Sequence, residues 1–311
     1  MKAIIYRNYG GPEVLETVEI PTPEPGAGEI LVRVRASSVN PVDWKIASGK
    51  YRPILSANFP QVPGFDMAGE VVRCGSGVSG FAEGDRVHAR LADDAATAEF
   101  AVATPEVTTL MPETMNFATA AGLPLAGMTA LQGLRDKGGM PLQGAHQRVL
   151  VIGASGGVGH FAVQIAHAAG ARVIGVCSGR NTDLVKSLGA DEVIDYGVDN
   201  PYRDLEPCDI IFDCVGQSVA DWLPHLKDDG CFVSTLPSPA QMLHGLNPFS
   251  DKKAKSIILE SNAADLGALD DLFTAGRVHV VMDQFPMEQM RTAWEKSIEG
   301  RTVGKIVIDI E

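Results

Sequence analysis

Between residues 149 and 159 the chain reads VLVIGASGGVG, with Gly153, Gly156, Gly157 and Gly159 set behind an apolar run. The segment that follows, HFAVQIAHAAG, carries apolar residues at helical spacing. Glycines at a strand-to-helix turn let the backbone approach a pyrophosphate closely, and the helix start offers unpaired N–H groups with a partial positive charge. Gly156, Gly157 and Val158 are therefore candidate phosphate contacts. The spacing is G-x-x-G-x-x-G rather than the commoner G-x-G-x-x-G. The apolar strand before it, the helix after it and a second strand, RVIGVC, therefore carry as much of the argument as the glycines.

The end of that second strand bears on which dinucleotide fits. A site for NAD places Asp or Glu there to bond the ribose 2′-hydroxyl, whereas a 2′-phosphate needs cations and neutral donors. Here stand Ser178, Gly179, Arg180 and Asn181, with no acid before Asp183. A carboxylate would repel the phosphate and a guanidinium can take it bidentately. NADP(H) is the expected cofactor, held at this end by Ser178, Arg180 and Asn181. The same glycine stretch also fits G-x-S-x-G, the nucleophile elbow of α/β-hydrolases, with Ser155 as nucleophile and Asp213 plus His244 or His279 as partners. A hydrolase has no use for Gly159 or for the Ser-Gly-Arg-Asn turn.

The elements that must position these residues follow from the patterning. Residues 1–120 are Val/Ile runs punctuated by Pro and Gly, which predicts an irregular β-rich region. From about 123 to 265 fully apolar strands alternate with amphipathic segments: RVLVI, RVIGVC, EVIDY, DIIFDCV and CFVSTL, a rhythm that predicts a doubly wound parallel sheet. The tail returns to helix, then to a last strand, KIVIDI, which is expected to rejoin the β-rich region. The expected organisation is thus α/β: a β-rich domain over 1–122, a Rossmann domain over 123–265, and a C-terminal segment, 266–311, returning to the first. The stretch 237–255, with its Met, Leu and Phe, is expected to be a loop walling an apolar pocket.

A formal net charge of −13 argues against a nucleic-acid partner. The longest apolar runs fall far short of the roughly 20 residues that cross a bilayer. The start, MKAIIYRNYGGPEVL, has no apolar leader core and no Arg/Ser-rich amphipathic leader, and reads as a strand and a turn. The five cysteines are scattered without a Cys-x-x-Cys pair and are expected to be buried free thiols of a reducing compartment. A cytoplasmic protein is expected, with a plastid lacking a recognisable transit peptide as the alternative.

Several further motifs resemble the medium-chain dehydrogenase/reductase superfamily, in its zinc-independent quinone oxidoreductase and enone reductase branch. They are ASSVNPVDWKI (36–46), VPGFDMAGEVV (62–72), LPLAGMTAL (123–131), GASGGVG (153–159), SLGADEVIDY (187–196) and GKIVIDI (304–310). Within the branch the likeness is greatest to plant-type quinone oxidoreductase homologues of the chloroplast envelope. The resemblance implies a GroES-like substrate domain, a Rossmann domain and an active site in the cleft between them. It implies that Asn40 and Lys45 face the nicotinamide and its ribose, with Lys45 near developing negative charge, and that Thr129 contacts the cofactor. Tyr196 would flank the 2′-phosphate, Val215, Leu236 and Pro237 would end strands beside the cofactor, and Arg301 and Lys305 would close over it. Zinc-dependent relatives carry a Cys near Asn40, a His-Glu pair where this chain has Phe65-Asp66, and a four-cysteine lobe where residues 88–100 have none. Of the histidines, His160 and His167 are expected on a helix surface and His88 as a satisfied imidazole in a strand. No metal is expected. The implied substrate is a small apolar enone or quinone, and the implied assembly a monomer or homodimer. Some members of the superfamily hold NADPH without turnover, but Asn40 and Lys45 are both present here.

Overall fold

The computed structural model describes residues 1–52, 58–236 and 251–310. The chain divides into two compact units. Unit one comprises Met1–Ala126, Ser261–Ala275 and Val280–Glu311, and unit two Gly127–Glu260 and Gly276–His279.

Unit one opens with an antiparallel ribbon of β1 (Lys2–Ile5) and β2 (Glu16–Glu19). The strands β3 (Ile30–Val39), β4 (Asp66–Cys74), β5 (Arg86–Arg90), β6 (Phe100–Ala103) and β7 (Thr108–Leu110) then supply most of a larger sheet. In β3 the alternation is legible: Val32 and Val34 enter the core while Arg33 and Arg35 stay exposed. Two short helices, α1 (Pro41–Ala47) and α2 (Phe117–Gly122), interrupt the strands, and α3 (Pro124–Gln132) follows.

Unit two is a six-stranded, wholly parallel sheet. Its strands are β8 (Arg148–Ile152), β9 (Arg172–Cys177), β10 (Glu192–Asp195), β11 (Cys208–Asp213), β12 (Leu226–Ser234) and β13 (Lys253–Ser256), in the order β10-β9-β8-β11-β12-β13. That is the dinucleotide-binding order, which reverses at β8, where β9 and β11 lie on opposite sides. The helix α4 (Gly159–Ala169) follows β8 and α5 (Thr182–Ser187) follows β9. Strand β13 corrects the expected loop over 237–255: Ala254 is buried while Lys253 and Lys255 are exposed, an edge strand blunted by lysines. Residues 237–250, including Pro237, lie outside the described residues. The expected surface placement of His160 is also corrected. Most of α4 is buried, His160 completely so, and its ring Nδ1 lies 3.0 Å from the carbonyl of Gly156. His167 is exposed.

The chain returns to unit one through α7 (Ala263–Thr274, after the short α6, Val219–Trp222, of unit two), β14 (Met282–Pro286), α8 (Met290–Ile298) and β15 (Lys305–Asp309). Strand β15 lies between β14, to which it is parallel, and β3, to which it is antiparallel. Trp294 of α8 is fully buried in a core shared with Val32, Val34, Ile306 and Ile308. His88 of β5 is fully buried and satisfied, with Nδ1 3.0 Å from the Ala120 carbonyl and Nε2 3.1 Å from Asp270 of α7. All five cysteines are free; Cys177, Cys208 and Cys231 are buried, and Cys74 and Cys214 are partly exposed. Among the described residues no helix is long and apolar enough to cross a membrane.

One carboxylate of unit one gives a pH signature. Asp94, which accepts from Gln61 Nε2 at 2.6 Å, is pushed up to about 6, chiefly by burial and then by the neighbouring Asp93. Its folded-state value exceeds the unfolded one, so its contribution is fully present below about pH 4 and is lost as pH rises through 6. Asp94→Asn keeps an acceptor for Gln61 and should abolish this decline. Chemical denaturation at pH 7 is expected to find the variant more stable by about 1–2 kcal/mol, a figure reduced for the partial exposure of the group.

Candidate active site

Asn40, Lys45, Arg301 and Lys305 belong to unit one, and the other described candidates to unit two. The stretch PVDWKI lies in the helix α1, so Lys45 is a helical residue. Asn40 is its N-cap and Pro41 its first residue, where a missing N–H costs nothing. The Asp43 carboxylate closes the turn by accepting the Asn40 N–H at 2.7 Å.

Around Asn40 the structure assembles a buried polar cluster. Asp66, fully buried at the start of β4, accepts Ser38 Oγ at 2.8 Å, Asn40 Nδ2 at 2.8 Å and the Leu125 N–H at 2.9 Å. Lys305 is only 3% exposed; its Nζ donates to Asn40 Oδ1 and lies 3.6 Å from Asp66. Burial pushes the Lys305 ammonium down and the Asp66 and Asp43 charges hold it up; burial lifts the Asp43 carboxyl well above the usual carboxylate range. The Asn40 amide is thereby fixed in one orientation, since its oxygen faces a cation and one of its N–H groups faces a carboxylate. One N–H remains. The resemblance implies that Lys305 closes over a cofactor; its ammonium is buried and bonded to Asn40. Arg301 is exposed. Lys45 has neither a carboxylate nor a hydrogen-bond acceptor among the described residues, and its Nζ sits 5.3 Å from the ring of Trp44. Burial, then the charge of Lys50, lower its pKa.

Asp66 is the residue whose role the sequence concealed, because its partners lie far along the chain. Its neighbourhood does not fit zinc. The Phe65 side chain has no donor atom, Asp66 already accepts three hydrogen bonds, and an ammonium stands beside it. Among the described residues no group of three or more His, Cys, Asp or Glu side chains could hold a metal ion.

In unit two the sequence candidates converge at the carboxyl edge of the sheet. Gly153 has φ +78°, and a Cβ there would meet Val215 at 2.7 Å. At Gly159 a Cβ would lie 2.1 Å from the Gly153 carbonyl oxygen, so α4 can start this close to the loop only with glycine. Gly156, Gly157 and Val158 fill the turn between. Asn181 Nδ2 donates to Ser155 Oγ at 2.9 Å, tying this turn to Ser178–Asn181. Arg180 is exposed and has no ion-pair partner among the described residues. Tyr196 and Val215 are exposed as well, at 59% and 50%. Leu236 stands against Gly216. Thr129 is buried in α3.

The turn after β11 is shaped by Asp213. Its carboxylate, fully buried, accepts the N–H groups of Val215, Gly216 and Gln217 and the Ser234 hydroxyl. This removes the hydrolase reading: Asp213 is committed to backbone, and Ser155 faces an amide donor, which is no general base. His279 is exposed and His244 lies outside the described residues.

A glycine turn opening onto the switch point of a parallel sheet, with an unpaired Arg at the end of the neighbouring strand, fits a dinucleotide. Joined on one chain to a β-rich unit, it defines a nicotinamide-dependent oxidoreductase. Comparison with known proteins agrees. Residues 26–130 match the alcohol dehydrogenase GroES-like domain and residues 188–308 the zinc-binding dehydrogenase domain. The chain is 40% identical to a chloroplast envelope quinone oxidoreductase homologue of Arabidopsis thaliana, over 99% of this chain and 98% of that protein. It is 33% identical to an NADPH-dependent alkenal/one oxidoreductase of the same plant, over 99% of this chain and 79% of that protein. The quinone oxidoreductase structure from Coxiella burnetii superposes with a TM-score of 0.88 at 32% identity, covering 100% of this chain and 99% of that one. The protein belongs to the medium-chain dehydrogenase/reductase superfamily, in its quinone oxidoreductase branch.

Proposed function

We propose that this protein is an NADPH-dependent reductase of α,β-unsaturated carbonyl compounds or quinones, working without zinc. The observation that carries the reading is the cluster at Asn40, where Asp66 and Lys305 take up the space and lone pairs a metal would need. With no Lewis acid to polarise a simple ketone, the acceptor must be electrophilic already, as a conjugated enone or a quinone is. The bound nicotinamide supplies the hydride. The chain's own residues bind, orient and stabilise charge. Gly156, Gly157 and Val158 admit the pyrophosphate, Ser178, Arg180 and Asn181 take the adenosine end with Tyr196 flanking its 2′-phosphate, and Val215 and Leu236 end later strands beside the cofactor. Asn40 offers an N–H that has no partner among the described residues, and Lys45 supplies an ammonium to the negative charge that develops on the acceptor oxygen or the ribose. Thr129 and Arg301 complete the cofactor's surroundings. The relatives, a quinone oxidoreductase homologue and an alkenal/one oxidoreductase, support the same chemistry.

The test is regiochemical. With deuteride on C4 of NADPH and an enone substrate, label is expected at the β-carbon of a saturated ketone. Label on the carbinol carbon of an allylic alcohol would mean carbonyl reduction, and failure of every enone and quinone in a panel to turn over would leave a cofactor-binding protein. For the cofactor, Arg180→Ala should raise KM for NADPH roughly 10- to 100-fold, the value of a charge-assisted contact, and leave NADH almost unchanged.

A further inference from the structure

Read along the sequence, the Ser178–Asn181 turn has no carboxylate before Asp183, but the sheet brings one to it from the next strand. Asp195 ends β10 in register with Cys177, the last residue of β9. The N–H of Tyr196 then donates to the Cys177 carbonyl at 3.2 Å, holding the two strand ends together. Asp195 Oδ1 accepts the Gly197 N–H at 2.9 Å. Asp195 Oδ2 leans over Gly179, so closely that a Cβ on that residue would lie 2.3 Å from it. The turn thus carries a cation, Arg180, and an anion, Asp195, which form no ion pair with each other among the described residues. Oδ1 satisfies the Gly197 turn, Oδ2 has no hydrogen bond among the described residues, and Gly179 is the residue that leaves it room.

We infer that Asp195 limits the cofactor selectivity that Arg180 confers, its Oδ2 accepting the ribose 2′-hydroxyl of NADH and opposing the 2′-phosphate of NADPH. This rests on the reading that the Ser178–Asn181 turn holds the adenosine end of the cofactor. A carboxylate at the end of a neighbouring strand does what one at the end of β9 would do: it offers a hydroxyl an acceptor and presents a phosphate with a like charge. Arg180 and Asp195 act in opposition, so the enzyme uses both cofactors and its preference for NADPH is modest.

Cofactor fragments test this without turnover. Calorimetric titration of 2′,5′-ADP and 5′-AMP into the wild type, Asp195→Asn and Asp195→Thr compares a 2′-phosphate with a 2′-hydroxyl on the same adenosine. Asn keeps the acceptor for Gly197. A doubly charged phosphate several ångströms from a lost surface carboxylate should gain roughly tenfold in affinity. The 2′,5′-ADP preference over 5′-AMP is expected to rise by that factor in both variants, with 5′-AMP itself unchanged or weaker. The ratio of kcat/KM for NADPH over NADH should move in the same direction. An unchanged preference, or equal changes for both fragments, overturns the assignment by showing that Asp195 only shapes the turn. Binding of neither fragment to the wild type removes the nucleotide reading of the turn itself, and the inference with it.

Discussion

Lys305→Met is expected to lower the stability of the β-rich unit by about 3–5 kcal/mol, the cost of breaking a buried ion pair from one side. The ammonium has little solvent around it and lies 3.6 Å from Asp66, which has none. Without it, Asp66 keeps its three donors but loses its countercharge, and Asp43, already raised by burial, loses a compensating cation. Methionine fills similar volume, so the loss is electrostatic. Two controls sharpen the expectation. Asp66→Asn placed on top of Lys305→Met should recover part of the stability, because a neutral amide needs no cation. The single variant should also regain stability as pH falls and the Asp43 carboxyl, raised by burial, takes up its proton. Urea unfolding followed at Trp294, buried in the core of this unit, reports the change. A loss below about 1 kcal/mol, the range of an exposed pair, would mean that Asp66 does not depend on Lys305 for neutralisation.

Lys45→Ala is expected to lower kcat by roughly 10²–10³-fold with a smaller change in KM for NADPH, the penalty for removing one donor that strengthens with developing charge. Asn40 caps the same helix but is held on two sides, whereas the Lys45 ammonium has no acceptor among the described residues and stands over the face of Trp44. Burial and Lys50 lower its pKa, so the charged form is lost at a pH below that of an ordinary lysine. Activity should therefore fall on the alkaline side as the ammonium deprotonates. Lys45→Arg should keep the charge and move that limb upward. A rise in KM for NADPH with kcat preserved would make Lys45 a cofactor anchor and remove it from the chemical step.

The Rossmann half was legible because strands buried on both faces write continuous apolar runs, and RVLVI, RVIGVC and DIIFDCV do so. Strand β13 was not, since its two exposed lysines disguise an edge strand as a polar loop. The helix at Lys45 could have been found: Asn-Pro-x-Asp is an N-cap, a proline at the first position and an acid at the third. The β segments on either side mask it. Burial of His160 escaped periodicity because α4 is covered on nearly every side, leaving no polar stripe to mark a surface. The deeper limit is range. The Asn40–Lys305 contact joins residues 265 apart, and Asn40–Asp66 joins residues 26 apart. Asp195 reaches Gly179 only through the register of two parallel strands. Residue types announce such groups; only topology introduces them to one another.

The position of β15 between β3 and β14 has a consequence for how this protein is made. On a ribosome the strands of unit one emerge first and all of unit two follows, yet the sheet cannot close until the last strand has been synthesised. Unit two, contiguous except for Gly276–His279, can fold while unit one still waits as an incomplete sheet with Asp66 lacking its cation. Strand β6 covers Ile30–Arg33 of β3 early, so the nascent chain leaves the short Ala36–Val39 edge open until β15 emerges, and this is where a chaperone or a stray strand would find it.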